Sequence, residues 1–433
     1  MNARNERENH TMHPDFLIDH RHKSFPLAAQ PVHASRIAER GWNVLADDLP
    51  YPLAVIRRSA LEHNVRWMQD YARSRHIAFA PHGKTTMSPQ LFDLQLRGGA
   101  WGLTFATIHQ LAVGLEAGLR RALIANQVAA PADLDGLDAL LARHEDLRVW
   151  FLVDSIAQLR LIEDWARARG SRRVFDVLLE VGISGQRTGA RTSGEALELA
   201  RAIHASASAR LGGIECYEGG LAQCDSAHDV PAVTELVRRV VEIAAACDAR
   251  GLLPADEPIL SAGGSAIFDL VVPLLQGAGL ARPFLGVLRS GCYVTHDHGN
   301  YRRLLRLVEQ RGGLRDSLRA ALEVWALVQS VPEPGLALLT CGRRDISYDL
   351  ELPSAQRWAP RGAVAARAAP ASWKIGALND QHAYLRFDPA DGPAVGDRVA
   401  LGISHPCTTF DKWRWMPVVD DDWTIVDAIE TRF

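Results

Sequence analysis

Two short stretches of this 433-residue chain carry side chains able to do chemistry. The first, residues 77–89, begins as an apolar run suited to a buried strand and passes through Pro81-His82-Gly83-Lys84-Thr85 into Ser88-Pro89. Ser88 is placed to cap a helix and Pro89 to occupy its first turn. Lys84 then stands where a strand stops and a helix begins, the edge at which α/β enzymes keep their chemistry. A lysine amine titrates near 10.4, so it acts near neutrality only if desolvated or beside another cation, or if it condenses with an aldehyde. A surface lysine with its stem along a strand end gives the same local pattern.

The second stretch is Ser404-His405-Pro406-Cys407-Thr408-Thr409-Phe410-Asp411-Lys412-Trp413. On a strand, positions i and i+2 face one side, so His405 and Cys407 can point at one ion. Imidazole with thiolate suits Zn²⁺. The motif alone does not establish a metal: 16 His and 6 Cys give roughly 0.2 His-x-Cys by chance. Two ligands also fall short of the three usual at catalytic zinc, and Pro406 argues against a central strand. A buried structural pair stays open.

The elements that must hold these residues follow from the hydrophobic pattern. Strand-like runs at 102–107, 122–128, 148–154, 175–182, 212–218, 258–263 and 284–289 follow the strand carrying Lys84. Helical stretches such as 156–169, 193–208 and 230–250 lie between them. Eight strands alternating with helices over residues 77–310 fit a (β/α)8 barrel of about 250 residues, and near-continuous apolar strands argue for a parallel sheet; a doubly wound open sheet is the alternative, and the eight-fold count favours closure. A strand at 53–56 and a helix at 59–73 lead in. After a helical stretch at 313–323, runs at 325–331, 336–340, 382–386, 398–403 and 423–429 are separated by Pro/Gly/Asp turns and read as a smaller β domain. Residues 359–372 read as an exposed loop. The expected division is a lead-in over 1–50 packing on the β domain, a barrel over 51–323, and a β domain over 324–433.

If the barrel forms, its strand ends gather Lys84, His82, the Arg187 loop, Tyr217-Glu218-Gly219, Gly263-Gly264-Ser265 and Arg289-Ser290-Gly291-Cys292-Tyr293. Gly-rich turns after strands seven and eight are where such barrels place a phosphate. His296-Asp297-His298 follows strand eight and reads as an ordinary polar loop. Composition excludes other classes: a net charge of −3 with 47% hydrophobic residues gives no nucleic-acid or membrane-surface footprint. No apolar run is long enough to cross a bilayer. The polar start lacks a secretory segment, and six scattered cysteines suit a reducing cytoplasm.

Taken in order, these motifs, with Gly342-Arg343-Arg344-Asp345 and the 404–413 stretch, resemble the fold-type III pyridoxal-phosphate enzymes with an alanine-racemase-like barrel. More narrowly they resemble the D-serine dehydratase and D-threonine aldolase branch, over residues 50–430. The resemblance implies that Lys84 holds the cofactor aldehyde and removes the substrate α-proton. It assigns the phosphate to Gly263, Gly264, Ser290, Gly291 and Cys292, and sets His82, Arg187 and Tyr217 beside the cofactor. It assigns Zn²⁺ or another divalent ion to His405 and Cys407. His-x-Cys in place of His-x-Asp implies dehydration of a D-3-hydroxy amino acid such as D-serine to a 2-oxo acid and ammonia. Aldol cleavage to glycine and an aldehyde is the first alternative, and a non-catalytic cofactor carrier the second. The resemblance also implies a homodimer.

Overall fold

Segments rich in Val, Ile, Leu and Phe, buried on both faces, pair in parallel and leave their helices outside. In the computed structural model, residues 14–254, 257–264, 267–277 and 279–433 are described. The eight barrel strands are Ala78–Phe79, Leu103–Phe105, Arg121–Gln127, Arg148–Val153, Phe175–Val181, Ala209–Cys216, Ile259–Ala262 and Leu285–Leu288. They follow one another around the sheet in chain order, and strand eight pairs with strand one. The remaining seam closes through a His82–Thr104 bridge and the Trp101 N–H donated to the Phe79 carbonyl at 2.8 Å. Leu123, Trp150, Leu152, Leu178, Ile259 and Val287 cluster apart from the residues that meet the helices, as a filled barrel interior does. The barrel expectation therefore holds strand for strand.

The second domain is an antiparallel sheet centred on Leu322–Glu333, flanked by Arg398–Gly402 and Leu336–Leu339. Leu53–Arg57, expected at the head of the barrel segment, belongs to this sheet instead. It pairs antiparallel with Leu322–Glu333 and parallel with Trp415–Val419. Only from Arg58, where a helix runs to Ser74, does the chain enter the barrel layer. The helix expected at 313–323 is found earlier, at Asn300–Gly312. Gly313, at φ 61°, ends it in the left-handed conformation glycine tolerates. The loop expected at 359–372 carries a two-residue exposed edge strand, Arg367–Ala368.

Residues between Phe16 and Leu49 pack on the same sheet: Phe16, Ile18, Phe25, Ile37 and Val44 share a core with Trp325, Trp415 and Trp423. The polar start lies largely in residues 1–13, outside the described residues.

Candidate active site

Lys84 is aimed by its neighbours. Strand one ends at Phe79, and Gly83–Thr85 form one 3-10 turn. Gly83 is pressed between rings: a Cβ there would lie 2.5 Å from Phe105 Cε1 and 2.9 Å from Phe92 Cε1. The next helix begins as expected, with Pro89 in its first turn and Ser88 Oγ accepting the Leu91 N–H at 3.4 Å. Between the packed glycine and the capped helix, the Lys84 side chain projects into a cleft of about 500 Å³ at the strand ends.

That cleft reaches from the barrel to the second domain. His82, Lys84, Arg187, Tyr217, Gly263, Gly291, Cys292, His405 and Cys407 all line it. Gly264 and Ser290 stand one layer back, joined by a 2.7 Å bond from Ser290 Oγ to the Gly264 carbonyl. The N–H groups of Gly263 and Gly264 both donate to the buried Glu218 carboxylate, the former at 3.0 Å. Ser265 lies outside the described residues.

The floor is charged. Arg289, 3% exposed, donates to Glu215 Oε2 at 2.5 Å and to the Cys216 carbonyl at 2.9 Å. Burial pushes the Glu215 carboxyl up to about 8, although Arg289 pulls the other way. Burial, and then the charges of Lys84, Arg289 and Arg187, hold His82 far below its usual range, so its imidazole is neutral. The Arg187 guanidinium lies 4.2 Å from the Tyr217 ring centroid, a cation–π contact on the cleft wall.

The roof comes from the second domain. His405 and Cys407 are not on a strand: the strand ends at Gly402, and Cys407 opens a one-turn helix to Phe410. Pro406, with no N–H to give a ladder, sits at the helix start, and the turn brings the two side chains together as a strand would have done. His405 Nδ1 lies 2.6 Å from Asp349 Oδ2, and Thr408 Oγ1 donates to Asp349 Oδ1 at 2.7 Å. Against the burial that would lower it, contact with Cys407 and Asp349 raises His405 to about 9. Cys407 Sγ stands 3.5 Å from Thr85 Oγ1 and 3.8 Å from Cys292 Sγ. Contact with Cys292, and then with His405, draws the Cys407 thiol well below its ordinary value.

The donor set fits both groups that the resemblance implies. For a phosphorylated aldehyde cofactor the cleft offers an exposed amine at Lys84 and a buried His82 Nδ1 with no partner. It also has a cradle that a side chain would fill, since a Cβ on Gly291 would meet His82 Cβ at 2.7 Å. For a metal, imidazole and thiolate meet, with a carboxylate orienting the far ring nitrogen as metal-binding histidines require. Among the described residues no three His, Cys, Asp or Glu side chains are already drawn together as a finished metal site.

Sequence reasoning did not single out Asp349, Tyr301 or Glu215. Asp349 is 56 positions from His405 and has no spacing relation to it. Glu215 sits two residues before Tyr217 on strand six, where a charged residue in a buried parallel strand was the available signal. Thr85 follows Lys84 in the first stretch, and its contacts with Cys292 and Cys407 have no local sequence signal.

The chain resembles known proteins along its length. Residues 56–283, more than half of it, match the family model described as the alanine racemase N-terminal domain, and residues 321–419 match a putative serine dehydratase domain. A D-threo-3-hydroxyaspartate dehydratase of Delftia sp. (strain HT23) is 28% identical over 375 residues, covering 83% of this chain and 92% of that protein. A D-threonine aldolase of Arthrobacter sp. is 26% identical, covering 86% and 89%. A 3-hydroxy-D-aspartate aldolase of Paracoccus denitrificans (strain Pd 1222) is 26% identical, covering 71% and 75%. The solved D-threonine aldolase from Filomicrobium marinum superposes with a TM-score of 0.74 at 23% identity, over 89% of this chain and 95% of that one. A barrel with a lysine at the mouth of strand one, joined to a dehydratase-type β domain, matches these two models over residues 56–283 and 321–419: the chain belongs to the alanine-racemase-like, fold-type III family of pyridoxal-phosphate enzymes.

Proposed function

We propose that this chain is a pyridoxal-phosphate- and metal-dependent lyase that dehydrates D-3-hydroxy amino acids to 2-oxo acids and ammonia. The observation that carries this reading is a single cleft in which a barrel lysine, Lys84, faces an imidazole–thiolate pair, His405 and Cys407, from the other domain. The named relatives, two aldolases and a dehydratase of D-3-hydroxy amino acids, support the substrate class.

Bound pyridoxal phosphate supplies an electron sink for negative charge at the substrate α-carbon. A divalent ion supplies a Lewis acid for the β-oxygen. Lys84 holds the cofactor aldehyde and, as a free amine, takes the α-proton onto Nζ. The neutral His82 packs against Gly291 without adding a further positive charge beside Lys84. Arg187 lines the wall with a guanidinium suited to a carboxylate. His405 and Cys407 would hold the ion, with Asp349 fixing the imidazole through Nδ1. The α-proton and β-hydroxyl leave as water; the resulting enamine tautomerises to an imine, which water hydrolyses to the 2-oxo acid and ammonia.

Aldol cleavage is the second reading, favoured by the aldolase relatives. It would use the same residues, with the β-hydroxyl proton lost instead of the hydroxyl. Product analysis over D-serine, D-threonine and D-threo-3-hydroxyaspartate separates the two: 2-oxo acid with ammonia, or glycine with an aldehyde. Lys84→Ala is expected to abolish the visible absorbance of lysine-linked cofactor and to lower turnover by at least about a thousandfold. Full turnover by that variant, or by enzyme stripped of metal with a chelator, would overturn the reading.

A further inference from the structure

We infer that Cys292 is a third protein ligand to the metal, so that the ion is held by two sulfurs and one imidazole and binds both domains together. This rests on the metal-dependent reading above and adds to it.

The argument begins with the two sulfurs. Cys292 Sγ, on the turn after strand eight, and Cys407 Sγ, on the second domain, stand 3.8 Å apart. Two thiolates bound at about 2.3 Å to one tetrahedral zinc ion are separated by about 3.8 Å. The pair is thus already one edge of a zinc tetrahedron. A disulfide would need about 2.05 Å, so the two sulfurs are in contact without being bonded to each other.

The surroundings support a bound thiolate at Cys292. Cys292 is 4% exposed, and Tyr301 lines the same cleft. Thr85 Oγ1 lies 4.0 Å away and also contacts Cys407, so its hydroxyl faces both sulfurs. Hydrogen bonds to ligating sulfur are the usual outer support of such sites. The imidazole is the corner still to close: His405 sits at the mouth of the cleft, its side chain 21% exposed, oriented by Asp349 on its far nitrogen. Because Asp349 holds Nδ1, Nε2 is the nitrogen left to face an ion beside the sulfurs.

The consequence is chemical. Two ligands fall short of the count at catalytic zinc; His405, Cys407 and Cys292 make three and leave a fourth position for the substrate β-oxygen. A set of two sulfurs and one nitrogen selects a soft ion such as Zn²⁺ over Mg²⁺ or Mn²⁺, which favour oxygen ligands. Cys292 then has two separate parts: its side chain serves the ion, and its backbone stays with the glycine turn that the resemblance assigns to phosphate.

The test uses full-length enzyme loaded with pyridoxal phosphate and zinc. X-ray absorption at the zinc edge counts the sulfurs, with two expected on the wild-type protein before any variant is made. In the cobalt-substituted enzyme, Cys292→Ser is expected to lose about half of the thiolate-to-cobalt charge-transfer intensity. Its zinc affinity in chelator competition should fall at least about tenfold, while lysine-linked cofactor absorbance remains. One sulfur per zinc, an unchanged band in Cys292→Ser, or a Cys292–Cys407 disulfide in the purified enzyme would overturn the third-ligand assignment and leave the His405–Cys407 pair standing. An enzyme that retains no zinc and turns over normally in chelator would overturn the metal-dependent reading itself.

Discussion

A buried guanidinium and carboxylate lie beneath the cofactor cleft, and their energetics can be measured directly. Pairing Arg289 with Glu215 in the interior gains Coulomb energy but removes both charges from water, so the pair is more easily broken than its short distance suggests. Glu215 takes up a proton near pH 8 in the folded chain, against about 4.3 for an ordinary glutamate. The folded state therefore binds this proton more tightly than the unfolded one. The stabilisation is complete below about pH 4 and is lost progressively as pH rises through 8. Glu215→Gln, which mimics the protonated acid, should keep stability near the wild-type value at pH 5 and flatten the fall between pH 5 and 8. Melting temperatures of the cofactor-free protein across that range check this; a variant with the wild-type slope would assign the titration elsewhere. The placement of Lys84 and His82 at a strand end was legible in the sequence because it comes from a local turn. Asp349, Tyr301 and the Glu215–Arg289 pair were not, because each acquires its partner only when distant strands and loops meet.

At the scale of elements, the strands that period and punctuation could define were recovered. Seven of the expected runs after Lys84 coincide with barrel strands because buried parallel strands are uniformly apolar and bounded by turns. The 156–169 helix was found residue for residue, between Ser155 as its cap and Gly170 at φ 61°. Misreadings fell where a signal was shared by two structures. Leu53–Arg57 has the apolar pattern of a barrel strand, and only pairing reveals the other sheet. His405 and Cys407 looked like strand neighbours, but the proline between them opens a helical turn. Gly83 shows how an element controls chemistry. Its φ is ordinary, so the constraint is space, with two phenylalanine rings where a methyl group would go. Gly83→Ala should destabilise the fold by about 1–3 kcal/mol, as overpacking does, and move the adjoining Lys84. Calorimetry, together with the yield of lysine-linked cofactor, reports the two effects; an unchanged melting temperature with full cofactor loading would show that the rings give way.

Across the whole molecule, the cleft exists because two domains share one chain unevenly. The barrel is a continuous segment, but the second domain draws on both sides of it. It takes residues 16–57 from before the barrel and everything from Leu322 onward. Leu53, Ala54, Val55 and Ile56 are each at most 1% exposed and owe that burial to Leu322–Glu333 on one side and Trp415–Val419 on the other. A cut at the apparent boundary near 323 therefore does not release a free barrel. It strips both neighbours from an apolar strand and leaves unpaired edges, the arrangement that invites pairing between chains. A chain of residues 51–321 should be recovered largely as aggregate. A chain of residues 58–321, which lacks the orphaned strand, should stay markedly more soluble. Size-exclusion chromatography and circular dichroism of the two, side by side, decide the point. If residues 51–321 elute as a single species and unfold cooperatively, the barrel stands alone and the second domain serves only to carry the roof of the cleft. If only 58–321 does so, Leu53–Arg57 is the tie that obliges the two domains to fold as one and holds His405 and Cys407 over Lys84.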